Sequence, residues 1–473
     1  MAQSGLAARP VVKARTRYRL APSEINRPVV WFTRLAGPPY LRLALAFRGV
    51  EVRDGARLVQ TLRDFQEHRT RLIVAFRHPY GDEPQLLMHV FENLLPRMAR
   101  QMKQPLKHRP GLRLVHDYAV ALWGDAVIRF ILPRVGAMPV YHIKFDAESL
   151  NRIRAVLRDG PSPLGLAPEG QISYHSETLP RIEQGTVRMG FWCARDLQKA
   201  NRSEKVRILP LSVHYQYDRR DEKKVRAAVA RLEALCGLPA VTSRKTPATL
   251  EDLPQRLTAV EDRLLAVTEA FYTSAYGYRP PEPTAPQTDG GARRHERWMA
   301  LQPFALSIAE CLLGIDPGAE DIIQRMYRVR LIGWDRVYPE EPVEKRTPLE
   351  VALAHREAGE AWYAMRHMEV VDLMSYHDPD YLDAANPAGL SFDRLVETVV
   401  NLQDLTYRLM GGNITNRPNV IRKKAVIVPG DCIELTERLP EYRADSRQTV
   451  QTVTDELAQA LRNCIGVYHN GQT

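Results

Sequence analysis

The stretch of this chain best suited to chemistry is RHPYGDEP, residues 77–84, in which His78 follows an apolar run and is trailed by the carboxylates Asp82 and Glu83. At that spacing a loop can fold back and set one acid against the imidazole. A carboxylate so placed fixes the ring tautomer and stabilises the imidazolium formed when the ring accepts a proton, which is the work of a general base. Both acids also fall where a helix should begin, and a helix N-terminus favours an ionised carboxylate. The plainer reading is that the acids only cap that helix and the histidine only ends a strand. The spacing does not choose which acid would be the partner.

The elements around this stretch read as alternating strands and helices. Residues 71–76 (RLIVAF) form a strand candidate, and Leu86, Leu87, Val90, Phe91, Leu94, Leu95 and Met98 then recur at helical spacing behind a first-turn Pro84. Residues 137–142 (AMPVYH), 164–167 (LGLA) and 206–215 (VRILPLSVHY) continue the strand series. Asp146 is an expected N-cap for a helix with Leu150, Ile153, Val156 and Leu157 on its apolar face, stopped at Gly160. Val225, Val229, Leu232 and Cys236 mark one more helix before Gly237. Such alternation predicts an α/β domain.

Three further segments follow in order: APEG at 167–170 after a strand, LPRIEQG at 179–185 before a helix, and ILPLS at 208–212 in a strand. With RHPYGDEP, this series resembles the lysophosphatidic-acid and glycerol-phosphate acyltransferase superfamily, over residues 45–235. The lead-in FRGVEVRDGARL, residues 47–58, is similar to the one those enzymes carry. The resemblance implies an acyltransferase-type mixed sheet with flanking helices. It makes His78 the catalytic base and puts Glu83 at the family's aspartate position, because Pro84 aligns with the proline after it; Asp82 is the rival. Glu169 and Gly170 match the family's Glu-Gly and are read on the substrate side, and Pro210 matches its later proline. Arg77 stands where the family has Asn. His142 and Ile172 stand where it has the two arginines that grip an acceptor phosphate. A buried phosphate needs charge-assisted donors, so Lys144, Arg181 or Arg188 substitutes, or the acceptor lacks a phosphate monoester.

The activity so implied is transfer of a fatty acyl group from acyl-CoA or acyl carrier protein to a hydroxyl of a glycerol-phosphate or lysolipid acceptor, with no metal and no further cofactor. The alternatives are a catalytically weak lipid-binding homologue acting as a scaffold, and a nucleic-acid-binding protein suggested by the net charge of +10. No zinc-finger, RNP or Gly-x-x-Gly pattern supports the last, so no nucleic acid is expected.

At 473 residues the chain exceeds one ordinary core. The expected organisation is a basic, aromatic segment 1–44, an α/β domain 45–238, and a mainly helical domain 239–473 with helices near 249–272, 296–313, 347–376, 391–410 and 446–464. A Pro-rich loop at 279–291 interrupts the helical part, and the strand-like run at 425–435 (AVIVPGDCIEL) fits it poorly. Residues 1–50 carry nine Lys or Arg against Glu24 alone, interleaved with Trp31, Phe32, Tyr40 and Phe47. That composition suits an anionic lipid surface. The apolar stretch 118–141 is broken by Asp125, Arg129 and Arg134 and reads as a buried helix and a strand, and no charged n-region with an apolar h-region opens the chain. Five scattered cysteines form no CxxC pair. A cytoplasmic protein peripherally associated with the membrane is therefore expected. His367, Glu369, His377, Asp378 and Asp380 crowd one region without a metal-site spacing, and His175-Ser176-Glu177 lacks a nucleophile elbow. The stripe Leu253, Leu257, Val260, Leu264, Val267 and Phe271 reads as core.

Overall fold

The β-branched runs predicted as strands pair into one mixed sheet. The computed structural model describes residues 12–17, 22–124, 126–141, 146–239, 252–282, 290–318, 321–374, 381, 390–412 and 420–471. Among these, β1 (Phe47–Val52), β2 (Thr70–Phe76), β3 (Arg113–Asp117), β4 (Met138–Val140), β5 (Leu164–Leu166), β6 (Lys205–Tyr217) and β7 (Lys423–Pro429) lie in the order β1-β7-β6-β2-β5-β3-β4, and β8 (Ile433–Glu434) pairs with β6. The pairs β1 with β7, β6 with β2, β2 with β5, β5 with β3 and β3 with β4 are parallel, whereas β8 runs antiparallel to β6. Parallel strands need both faces covered. Accordingly β2 is buried at every position.

Helices fill the crossovers. In chain order they are α1 (Arg27–Leu43), α2 (Gly55–Gln66), α3 (Glu83–His89), α4 (Leu95–Gln101), α5 (Ala119–Trp123), α6 (Ala126–Arg134), α7 (Ala147–Asp159) and α8 (Gly185–Lys199), with a π turn at Val90–Leu94 joining α3 to α4. Capping follows the sequence: Asp146 accepts from the Glu148 and Ser149 amides at 3.1 and 3.2 Å, and Asp54 accepts from the Arg57 amide at 3.1 Å. Ile73 and Ala75 of β2 pack in a core with Ile153, Leu157, Phe191 and Leu457. The alternate residues Leu72, Val74 and Phe76 point to the other face, against which α2 lies.

The chain divides into two compact units, and the division departs from the expected cut near residue 238. One unit holds residues 20–216 and 422–473, so that after the helical segment the chain returns to the sheet. It supplies β7, β8 and two last helices there. The ill-fitting run at 425–435 is thus sheet, and β7 fills an interior slot between β1 and β6. The physical reason is its uninterrupted burial, Ala425 to Val428 all being shut from solvent, which only a strand covered on both faces achieves. The other unit holds residues 1–19 and 217–421. Its described elements are helical: α9 (Glu222–Leu235), α10 (Leu253–Tyr276), α11 (Gly290–Leu312), α12 (Ile322–Val337), α13 (Pro348–Met374) and α14 (Phe392–Leu409), with short 3-10 turns. Then α15 (Leu439–Ala444) and α16 (Ser446–Asn470) belong to the sheet unit, which places the expected helix at 446–464 against the sheet.

Three further expectations change. Segment 1–44 is not one arm: Arg17 pairs with Asp335 at 3.1 Å in the helical unit, whereas α1 belongs to the sheet unit. The stretch 118–141 is not a buried helix, because α5 ends at Gly124 and α6 leaves Val127 and Phe130 exposed. The α10 stripe is core only from Leu253 to Leu264; Val267 and Phe271 are exposed.

Candidate active site

Two parallel strands bring the RHPYGDEP and APEG segments together. Ala75 of β2 is in register with Leu166 of β5, and His78 and Glu169 each follow their strand residue by the same three positions, so both emerge side by side at the carboxyl edge of the sheet. Ligands in open α/β sheets sit at that edge. Glu169 then ties the two segments: one carboxylate oxygen pairs with the Arg77 guanidinium, and the other accepts the His78 backbone N–H at 2.7 Å. Arg77 is fully buried and also donates to the carbonyls of His175 (2.8 Å), Thr178 (2.7 Å) and Ser176 (3.3 Å). The amides of Ser173 and Tyr174 donate to His78 and Pro79 carbonyls at 3.0 and 2.9 Å. Gly170 turns this loop at φ +75°, a conformation that a side chain disfavours.

The dyad partner is Glu83. Its Oε2 lies 2.6 Å from His78 Nδ1, while Oε1 accepts the Tyr80 N–H at 3.1 Å and the Tyr215 hydroxyl. Glu83 is the first residue of α3, where the helix end favours its negative charge. Asp82 instead pairs with Lys423 of β7. With Nδ1–H donated to Glu83, the lone pair of His78 lies on Nε2. Among the described residues none hydrogen-bonds Nε2, and the side chain is 20 % exposed. The ring can take a proton there.

Burial works against a charged His78, but the Glu83 hydrogen bond and charge, backed by Glu169 and Asp82, outweigh it, and the ring's pKa stands above its ordinary 6.5. Burial also lifts Glu83 above its ordinary 4.5, although His78 and Tyr215 both favour its ionised form. Farther along β6, His214 is held well below 6.5, chiefly by burial and then by the Arg77 charge; it stacks on Tyr468 at 3.9 Å between ring centres. That ring is a neutral wall.

The structure sorts the remaining candidates. Glu169, expected on the substrate side, is 1 % exposed and spends both oxygens within the protein, so its place is a positioning one. Arg181 is exposed, and Arg188, exposed on α8, donates to Gln184 at 2.7 Å. His142 and Lys144 lie outside the described residues. His175, Ser176 and Glu177 form the buried loop that Arg77 clamps. In the helical unit His367 sits between the Tyr272 and Tyr276 hydroxyls at 2.9 and 3.2 Å, and burial lowers it to about 4. Glu369 pairs with Arg408 at 2.6 Å, while residues 377, 378 and 380 are outside the described set. No group of three metal-ligating side chains occurs among the described residues.

Sequence reasoning missed Tyr215 and Lys423. Tyr215 was legible as a strand residue, and its hydroxyl, a polar tip on a mostly apolar run, was the available signal. Lys423 carried none, because only the return of β7 to the sheet brings it near Asp82. No protein-family model matches the chain, and no curated protein matches it.

Proposed function

We propose that this protein is an O-acyltransferase that moves a fatty acyl group from a thioester to a hydroxyl of a glycerol-phosphate or lysolipid acceptor. The observation that supports this reading is the His78–Glu83 dyad with its open Nε2, anchored by Glu169 of the APEG segment. Nε2 takes the acceptor's hydroxyl proton as the oxygen attacks the thioester carbonyl. The tetrahedral adduct then expels the thiolate, which recovers the proton from the imidazolium. The donor is acyl-CoA or acyl carrier protein. The test is an acyl-transfer assay with both donors against glycerol 3-phosphate and lysolipids with and without a phosphate monoester. Turnover of none of them sinks the proposal.

The dyad's electrostatics give a pH prediction. The base acts only when unprotonated, so kcat/KM should rise with pH through the His78 pKa, which Glu83 holds above 6.5. Glu83→Gln deletes the largest interactions that raise it, leaving burial, which lowers it, opposed only by the Glu169 and Asp82 charges. The acid limb should therefore move to lower pH while the plateau falls. A limb that stays put in Glu83→Gln would show that another group controls the profile.

The proposal includes a membrane-surface docking face on α1. Asn26 caps this helix, its side chain accepting from the Val29 amide at 3.1 Å, and Leu41 turns inward. Trp31, Phe32 and Leu35, at 54, 60 and 54 % exposure, share the outer side, with Arg27, Arg34 and Arg42 on the same acid-free helix. No described helix is long and apolar enough to cross a membrane. Apolar side chains beside arginines suit the boundary of an anionic bilayer. Trp31→Ser with Phe32→Ser should weaken sedimentation with phosphatidylglycerol vesicles by about tenfold or more, since each buried side chain contributes roughly 1.5–3 kcal/mol. Binding of the pair variant equal to that of the parent, at low and high salt, removes this face from the proposal.

A further inference from the structure

We propose that Lys423 is a positioning residue of this site: by neutralising Asp82 and bracing Tyr215, it leaves Glu83 as the carboxylate partner of the His78 imidazole. The inference rests on the dyad reading above and adds to it a residue from the far end of the sequence. Lys423 opens β7 opposite Phe47 of β1, and its amide donates to the Ala46 carbonyl at 3.1 Å, which fixes where its side chain starts. The ammonium is almost wholly buried. It pairs with Asp82 and lies 4.7 Å from the ring centre of Phe47 and 4.9 Å from that of Tyr215. Tyr215 in turn donates to Glu83. One cation thus touches both neighbours of the dyad.

The physical need is clear from Asp82. It is buried next to Glu83, makes no side-chain cap to α3, and as a second uncompensated anion would compete for the imidazole. A cation facing it from β7 removes that competition. A cation over the Tyr215 ring face is attracted to the ring and makes its hydroxyl a better donor toward Glu83. The charged and titratable groups around the ring are then Glu83 and Asp82 from the start of α3, Glu169 behind β5, Arg77 at the end of β2, Tyr215 on β6 and Lys423 on β7.

The test titrates the His78 imidazole by NMR in the full chain, its signal assigned by loss in His78→Gln, alongside the pH profile of acyl transfer. Asp82→Asn strands the ammonium beside the dyad, and the His78 midpoint should fall by about half a unit or more, the scale of one charge several ångström away in a protein interior. Adding Lys423→Met to Asp82→Asn removes that stranded charge, and the midpoint should return toward the parent's. A midpoint that does not fall in Asp82→Asn, or a double variant that keeps the Asp82→Asn value, overturns the proposal. Should Asp82→Asn fail to fold, recovery of folding in the double variant supports the pairing and continued failure rejects it. Absence of acyl transfer in the parent with the NMR shifts as expected would reject the acyltransferase reading alone.

Discussion

His78→Ala is expected to lose acyl transfer by a factor of about 10²–10⁴, equivalent to roughly 3–5 kcal/mol of barrier, while keeping its fold. The loss follows from the position of the ring: Nδ1 is committed to Glu83, so Nε2 is the basic atom available to an acceptor hydroxyl. The fold should survive because only Glu83 Oε2 loses its partner. Glu83 keeps the Tyr215 hydroxyl and the Tyr80 amide, and the His78 backbone keeps Glu169. Glu83→Ala should lose less than His78→Ala, since it removes orientation and leaves the base. Steady-state kinetics on the folded variants measure both. Undiminished transfer by His78→Ala, with donor binding and circular dichroism unchanged, would exclude the mechanism and leave a lipid-binding scaffold as the surviving reading.

The second large effect belongs to Glu169, and it is one of stability as much as rate. Arg77 and Glu169 form a buried ion pair, and removing one partner of such a pair costs about 3–5 kcal/mol because the other charge stays behind without compensation. A typical domain is stable by only about 5–15 kcal/mol. Glu169→Ala should therefore lower the urea midpoint strongly. It should also lower activity beyond the stability effect, because the His78 amide loses the acceptor that sets the ring's position. Glu169→Gln retains an acceptor for that amide and should fall between Ala and the parent. Pairing Glu169→Leu with Arg77→Met should cost less than the sum of the single changes, the signature of a direct interaction. A Glu169→Ala unfolding free energy within about 1 kcal/mol of the parent's would show that the three carbonyls on Arg77 suffice and that the pair is not the clamp described here.

What the sequence determined by itself was local. Strands such as β2 and β6, the Asp146 cap and the placement of Pro84 in the first turn of α3 were legible because each depends on a few neighbouring residues and a short period. The His–carboxylate possibility was legible for the same reason, as one turn of chain holds its members. Choosing between Asp82 and Glu83 was not. That choice belongs to Tyr215, which claims Glu83, and to Lys423, which claims Asp82, and both arrive from distant strands. The role of Glu169 likewise waited on the β2–β5 register, which sets it against Arg77 and the His78 amide and so turns it inward. The boundary of the helical unit was misplaced because helical periodicity reports only a helix's own faces. Which sheet or bundle covers a face is decided by long-range burial, and the wholly apolar run of β7 could be covered on both sides only inside the sheet.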